Sequence, residues 1–214
     1  MTLMVNEIFF SIQGESSWAG LPFVFVRLTG CNLRCRYCDT RYAYEEGTLW
    51  EIESILARAA QFLCNRVTLT GGEPLSQSAC PALVSRLIDR GFIVTLETNG
   101  SLDIGRVDRR CIRIMDIKCP SSGMQDHHRW ANLELLCPED QVKFVIADET
   151  DFDYARAVIG RIGQRVPAAH LLFSPAHGVM PAERLARWML DAHVEARLQI
   201  QLHKYIWPSR HRGV

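Results

Sequence analysis

The sequence predicts an α/β fold, a partial and incomplete β/α barrel of the TIM type with mostly parallel strands. Three observations predict it. Short apolar, β-branched runs alternate with helical patterns along the chain, which is the mark of βαβ units and a parallel sheet. Right-handed crossovers place the C-terminal ends of such strands on one edge, and the polar, glycine-rich segments of this chain each follow a strand. The chain has 214 residues, short of the roughly 250 that a full eight-unit barrel takes. There is no internal repeat, low-complexity tract or long linker, so residues 1–214 read as a single domain.

Each element has its own local signal. Leu21 to Leu28 is aromatic and β-branched and reads as a first strand. Thr48-Leu49-Trp50-Glu51 has capping-box spacing and predicts a helix from Thr48 to about Leu63. Val67 to Thr70 is a second strand, ended by Gly71-Gly72. Pro81 to Arg90 is helical and Gly91 stops it. Phe92 to Glu97 is a third strand, ended by Asn99-Gly100, and Ile112 to Ile117 is a fourth. Val142 to Ile146 is a fifth strand, with a helix from Asp151 to Ile162. Leu171 to Phe173 is a sixth, with a helix from Pro181 to about Ala192, and Leu198 to Leu202 is the last.

Composition narrows the function classes. A content of 48% hydrophobic and 22% charged residues is ordinary for a globular protein. The formal net charge of zero argues against a nucleic-acid or acidic-membrane partner. No apolar run approaches the roughly 20 residues of a membrane span. The N-terminus lacks a basic region followed by a long apolar run. The expectation is a cytoplasmic protein with reduced thiols. Its eight cysteines are then ligands, packing residues or reactive groups. Cys64, Cys80, Cys111, Cys119 and Cys137 show no tight spacing and read as small packing residues.

Cys31, Cys35 and Cys38 are different. They form C-x3-C-x2-C in one loop, with Tyr37 just before the last thiol. Three thiolates cap three corners of an iron–sulfur cube and leave one iron open, whereas electron-transfer cubes take four. Structural zinc is the alternative, but it needs four ligands, and no histidine lies between Arg27 and Thr70. Gly71-Gly72-Glu73-Pro74 ends the next strand. A glycine pair there lets backbone approach a ligand, and Glu73 offers a carboxylate to an ammonium; a plain turn is the alternative. Glu7 to Ser16 carries Gln13, Gly14 and Glu15 just before a strand, and could lie over the site or serve as an edge strand and turn. Arg27 ends the first strand, where its guanidinium fork suits a carboxylate or a surface salt bridge.

Together the cysteine triplet and the GGEP strand end resemble the radical S-adenosylmethionine (SAM) enzymes. The resemblance covers about residues 5 to 207. It implies a [4Fe-4S] cluster whose open iron binds the amino and carboxylate groups of SAM. It also implies a 5′-deoxyadenosyl radical that takes a hydrogen atom from substrate. The run Phe9-Phe10-Ser11-Ile12-Gln13-Gly14-Glu15, Arg27, the Cys38-Asp39-Thr40 ending and the terminal Gly213-Val214 further resemble the 7-carboxy-7-deazaguanine synthase family of the queuosine pathway. That family converts 6-carboxy-5,6,7,8-tetrahydropterin to 7-carboxy-7-deazaguanine with loss of ammonia. The first motif ends in Ser16 where the family usually has glycine, which puts the local backbone shape in question.

The resemblance implies roles residue by residue. Cys31, Cys35 and Cys38 hold the cluster, and Thr40 is a ligand of Mg²⁺. Tyr37, Asp39, Gly72, Glu73, Asp116, Ile117, Lys118, Ser174, Pro175, Ala176 and His177 border SAM. Asp116 and Ile117 stand where relatives often carry Ser-Pro, so backbone contacts are expected there. Ile12, Gln13, Gly14, Glu15, Arg27, Thr70 and Val214 meet the pterin, and Glu97, Thr98 and Asn99 reach cofactor or substrate. No side chain is expected to act as a catalytic acid or base, and His177 and His203 read as structural. The resemblance also implies a reducing electron donor of the flavodoxin type and a homodimer. Two alternatives stay open: a glycyl-radical activase and a non-catalytic metal-binding module.

Overall fold

The computed structural model describes residues 1–209 and 212–214. The first half holds β1 (Thr2–Ile12), β2 (Pro22–Leu28), β3 (Thr48–Glu51), α1 (Ile52–Ala60), β4 (Arg66–Gly71), α2 (Cys80–Asp89) and β5 (Ile93–Thr98). The second holds β6 (Ile112–Ile117), β7 (Gln141–Ile146), α3 (Glu149–Ile162), β8 (Leu171–Pro175), α4 (Ala182–Asp191), β9 (Arg197–Leu198) and α5 (Leu202–Ile206). All nine strands form one sheet in the order β3-β1-β2-β4-β5-β6-β7-β8-β9. From β2 to β9 every neighbouring pair is parallel. β1 runs antiparallel to both β2 and β3. β3 and β9 lie at opposite ends of the order, so the barrel is partial and open, as the sequence predicts.

The central parallel strands are mostly buried, yet period-two alternation still sorts their side chains. On β4, Val67 and Leu69 join the apolar core that α1 and α2 cover. Between them, Thr68 bonds Thr95 at 2.8 Å and Thr70 bonds Glu97 at 2.9 Å. On β7, Val142, Phe144 and Ile146 pack into the core while Lys143 and Val145 line a cavity. On β6, Met115 and Ile117 join the core while Ile114 and Asp116 line the cavity. The helices therefore cover one face of the sheet, and the other encloses a polar site.

Three local expectations change. Thr48–Glu51 is a strand, not a first helical turn, because it pairs with Thr2–Val5. Tertiary pairing overrides the capping-box spacing there, and the helix begins at Ile52, burying Ile55, Leu56 and Ala59. The helix ends at Ala60, ahead of Leu63, whose φ of 53° is left-handed. The N-terminal motif is split: residues up to Ile12 form β1, and Gln13 to Glu15 continue past its end. The last strand stops at Leu198 and Leu202 opens α5. Beyond Leu198, Gln199 N still donates to Phe173 O at 2.8 Å, and the side chains of Gln199 and Gln201 turn to Glu15. No helix among the described residues is long and apolar enough to cross a membrane.

Candidate active site

A cavity of about 290 Å³ opens at the C-terminal ends of the parallel strands. The cluster loop forms one wall. Cys31, Cys35 and Cys38 are all half-buried, unpaired thiols that line it. The loop is pinned by backbone bonds from Gly30 N to Ala43 O at 2.9 Å and from Arg36 N to Ser122 O at 3.1 Å. The Cys31 thiol accepts from Leu33 N at 3.4 Å. Burial pushes the thiol pKa values of Cys31 and Cys35 up, against the Lys118 charge.

The glycine strand end locks against this loop. Glu73 N donates to Gly30 O at 2.7 Å. A side chain at Gly72 would overlap the Gly30 carbonyl and the Cys31 Cβ. Glycine at 72 is therefore a requirement of packing. The Glu73 carboxylate differs from its sequence reading. It is fully buried, lies outside the cavity lining, and accepts from Asn99 N at 2.6 Å, Leu75 N at 3.0 Å and Thr98 Oγ1 at 2.9 Å. Its role is to tie the ends of β4 and β5 together, and burial raises its pKa.

The inner wall is a chain of charges. Glu15 meets Lys143 at 2.8 Å, Lys143 meets Asp116 at 3.3 Å, and Asp116 meets Lys118 at 2.9 Å. Burial opposes charge on each of these groups, but their partners win. The ammonium groups hold Glu15 and Asp116 below the usual carboxylate range, and the carboxylates hold Lys118 and Lys143 above the usual lysine value. Glu97 goes the other way: burial, with Glu15 nearby, raises its pKa despite Lys143. Arg27 donates Nε to Glu7 at 2.8 Å and lies 5.8 Å from the centres of both the Phe9 and Tyr42 rings. It lines the cavity and its Nη atoms bond no described residue. The salt bridge expected as an alternative thus exists, and it aims the guanidinium.

The chain ends close the rim. Gln13 donates to Thr68 at 3.0 Å and accepts from Glu15 N at 3.1 Å. A side chain at Gly14 would overlap His203 Nδ1, and Leu202 N donates to Gly14 O at 2.9 Å. Lys204 meets Asp39 at 2.7 Å, and burial opposed by that ammonium leaves the Asp39 pKa lowered. Thr40 donates to Asp39 at 2.9 Å and, although it precedes a 3-10 turn, its side chain caps nothing. Gly213 N reaches Glu7 at 3.2 Å, and Val214 lines the cavity. Ser16, in the family's glycine position, has φ 68° and so keeps the left-handed backbone that glycine favours.

The donor set fits the groups that the motifs imply. Among the described residues, no three His, Cys, Asp or Glu gather as a single metal ion would need. Three thiols around a cavity mouth instead suit a cluster whose irons occupy separate corners. Two buried polar atoms of cavity-lining residues, Tyr37 Oη and Asp116 Oδ1, have no partner among the described residues. Buried polar groups are normally paired, so these two fit a cofactor's hydrogen-bonding groups. The Thr40 hydroxyl lines the same cavity and bonds Asp39 Oδ1, while Lys204 occupies Asp39 Oδ2.

Of the residues singled out from sequence, Ile12, Gln13, Gly14, Glu15, Arg27, Cys31, Cys35, Tyr37, Cys38, Asp39, Thr40, Thr70, Gly72, Asp116, Lys118, Ser174, Pro175, Ala176, His177 and Val214 line one cavity. Glu73 and Ile117 do not; Ile117 packs in the core, as its register beside Asp116 dictates. Glu97, Thr98, Asn99 and His203 also line it. Lys143, Gln201, Lys204 and Tyr44 were missed. Lys143 was legible: it is the polar member of an apolar strand and pairs in register with Asp116.

Comparisons with known proteins agree with this geometry. The Radical SAM superfamily matches residues 25–118. A 7-carboxy-7-deazaguanine synthase from Chlorobaculum tepidum is 46% identical over 99% of this chain and 97% of its own. One from Koribacter versatilis is 36% identical over 99% of this chain and 100% of its own. The crystal structure of QueE from Escherichia coli superposes with a TM-score of 0.78 at 21% identity, covering 95% of each chain, and supports the fold.

Proposed function

We propose, because the chain belongs to the 7-carboxy-7-deazaguanine synthase family of radical SAM enzymes, that it converts 6-carboxy-5,6,7,8-tetrahydropterin to 7-carboxy-7-deazaguanine with release of ammonia. One observation carries the substrate half of this reading. Gln13 to Glu15, Arg27, Thr40, Thr70 and Glu97 line the same cavity as the three cluster thiols.

When bound, SAM and the cluster supply the radical that removes a hydrogen atom from substrate, so the protein binds, orients and excludes water. Arg27 offers its free Nη atoms to the pterin carboxylate as a bidentate fork. Thr40 lines the same cavity and would hold Mg²⁺ through its hydroxyl oxygen, and Asp39 borders SAM. Glu97, held by Thr70, presents acceptors for the N–H groups of the heterocycle. Tyr37, Asp116 and the backbone beside Gly72 border SAM. A one-electron donor of the flavodoxin class and a homodimer belong to the same reading. Sedimentation of the holoenzyme checks the dimer.

The test is anaerobic reconstitution with iron and sulfide, then incubation with SAM, reductant, Mg²⁺ and the carboxytetrahydropterin. The expected product is 7-carboxy-7-deazaguanine. Formation of 5′-deoxyadenosine alone overturns the substrate, and a chain that binds no iron overturns the enzyme.

A further inference from the structure

We infer that Lys143 is a positioning residue that couples the substrate side of the cavity to the cofactor side. The inference rests on the substrate reading above and extends it. Lys143 sits on β7 with its ammonium between two carboxylates from distant parts of the chain, 2.8 Å from Glu15 and 3.3 Å from Asp116. Glu15 belongs to the N-terminal segment that closes the substrate rim, where Gln201 also reaches it at 2.8 Å. Asp116 ends β6, bonds Lys118 at 2.9 Å and keeps one buried oxygen without a partner. All four side chains of this chain of charges are 12–15% exposed.

A buried ion pair is held by geometry, and loss of one partner leaves an uncompensated charge. Glu15 and Asp116 therefore share the Lys143 ammonium, with Lys118 as the second cation beside Asp116. A ligand donor on the unpartnered Asp116 oxygen draws that carboxylate toward itself, and Lys143, shared by the two carboxylates, is then held more closely by Glu15 on the pterin side. The two ligands thus act on one shared ammonium, which couples their affinities. Linkage makes the effect reciprocal: each ligand tightens the other by the same factor, about fivefold or more. Lys143 acts in this way through the two carboxylates.

The experiment is equilibrium dialysis of SAM against reconstituted, unreduced holoenzyme, with and without the carboxytetrahydropterin, so that no turnover intervenes. In the unaltered protein the pterin lowers the SAM Kd by about fivefold or more. In Lys143→Met the ratio falls to about one while iron content and the cluster spectrum stay unchanged, and Lys143→Arg restores much of it. Should Lys143→Met fail to fold, Lys143→Gln keeps a neutral hydrogen-bond donor at the same place, removes the charge and brings the ratio to about one. A full ratio in Lys143→Met or in Lys143→Gln overturns the inference. So does a ratio of one in the unaltered protein. Failure to bind the pterin at all overturns the substrate reading and the bridge together, whereas binding of both ligands without coupling overturns the bridge alone.

Discussion

The two sides of the cavity are held together in opposite ways. The cofactor side is local. Three thiols lie within eight residues, and backbone bonds at Gly30, Arg36 and Glu73 fix their loop. The Glu73 carboxylate ties two strand ends with three N–H and O–H donors. The substrate side is assembled from the chain ends. Gln13 to Glu15 meet Lys143 and Gln201 across 128 and 186 residues of chain. Lys204 meets Asp39 across 165. Loss of a thiol on the cofactor side should therefore remove the chemistry, while other changes on either side should act mainly on the affinity for the ligand bound there.

The largest effect tests the first half of that contrast. Cys35→Ala should abolish the cluster, since two thiolates no longer hold the cube. Iron analysis and the violet-edge absorbance after reconstitution check it; a variant that keeps about four irons per chain breaks the contrast.

Gly72→Ala comes next. The added methyl would press on the Gly30 carbonyl and the Cys31 side chain, and overpacking of this kind costs about 1–3 kcal/mol. The cluster loop should shift, so SAM affinity should fall more than pterin affinity. Melting should drop by about 2–4 °C for each kcal/mol. An unchanged melting temperature together with unchanged SAM binding breaks the argument that the two loops interlock.

Arg27→Ala probes the other side. It removes the guanidinium held by Glu7 between the Phe9 and Tyr42 rings. A lost hydrogen bond to a charged group costs about 1.5–3 kcal/mol, roughly tenfold or more in the pterin KM. The SAM KM should hold steady. Equal rises in both constants would remove Arg27 from the substrate side.

The same contrast decides what was legible in the sequence. The cluster loop and Gly71-Gly72 are short runs whose residue types carry the chemistry, so they could be read directly. The sheet was legible because apolar runs and turn residues alternate. The pairing of the Glu73 carboxylate with Thr98 and Asn99 was not legible, because only packing brings those strand ends together. The Ile117 side chain packs in the core, as strand alternation beside Asp116 dictates, which bears on its side chain and not on the backbone contact expected there. The strand at Thr48–Glu51 looked helical because capping-box spacing is local, whereas its pairing with Thr2–Val5 is not. Gln201 and Lys204 carry no signal of their own, since their partners lie at the other end of the chain.

The smallest effect concerns Ser16, which directly follows the rim segment Gln13 to Glu15. Its φ of 68° is left-handed, a conformation that costs a side-chain-bearing residue about 1–2 kcal/mol. Ser16→Gly relieves that strain. Against it stand two losses. The Ser16 hydroxyl accepts from Trp18 N at 3.1 Å, worth about 0.5–1.5 kcal/mol. Glycine also loses more freedom on folding, by about 0.5–1 kcal/mol. The bond from Ser16 N to Gln199 at 2.6 Å uses backbone alone and survives the change. The opposing effects nearly cancel, so melting should move by only about 2–4 °C in either direction, with the pterin KM unchanged. A large loss of stability would show that the hydroxyl, and not the backbone conformation, holds the rim. The position would then be a different solution from the family's glycine, and not the same turn built with another residue.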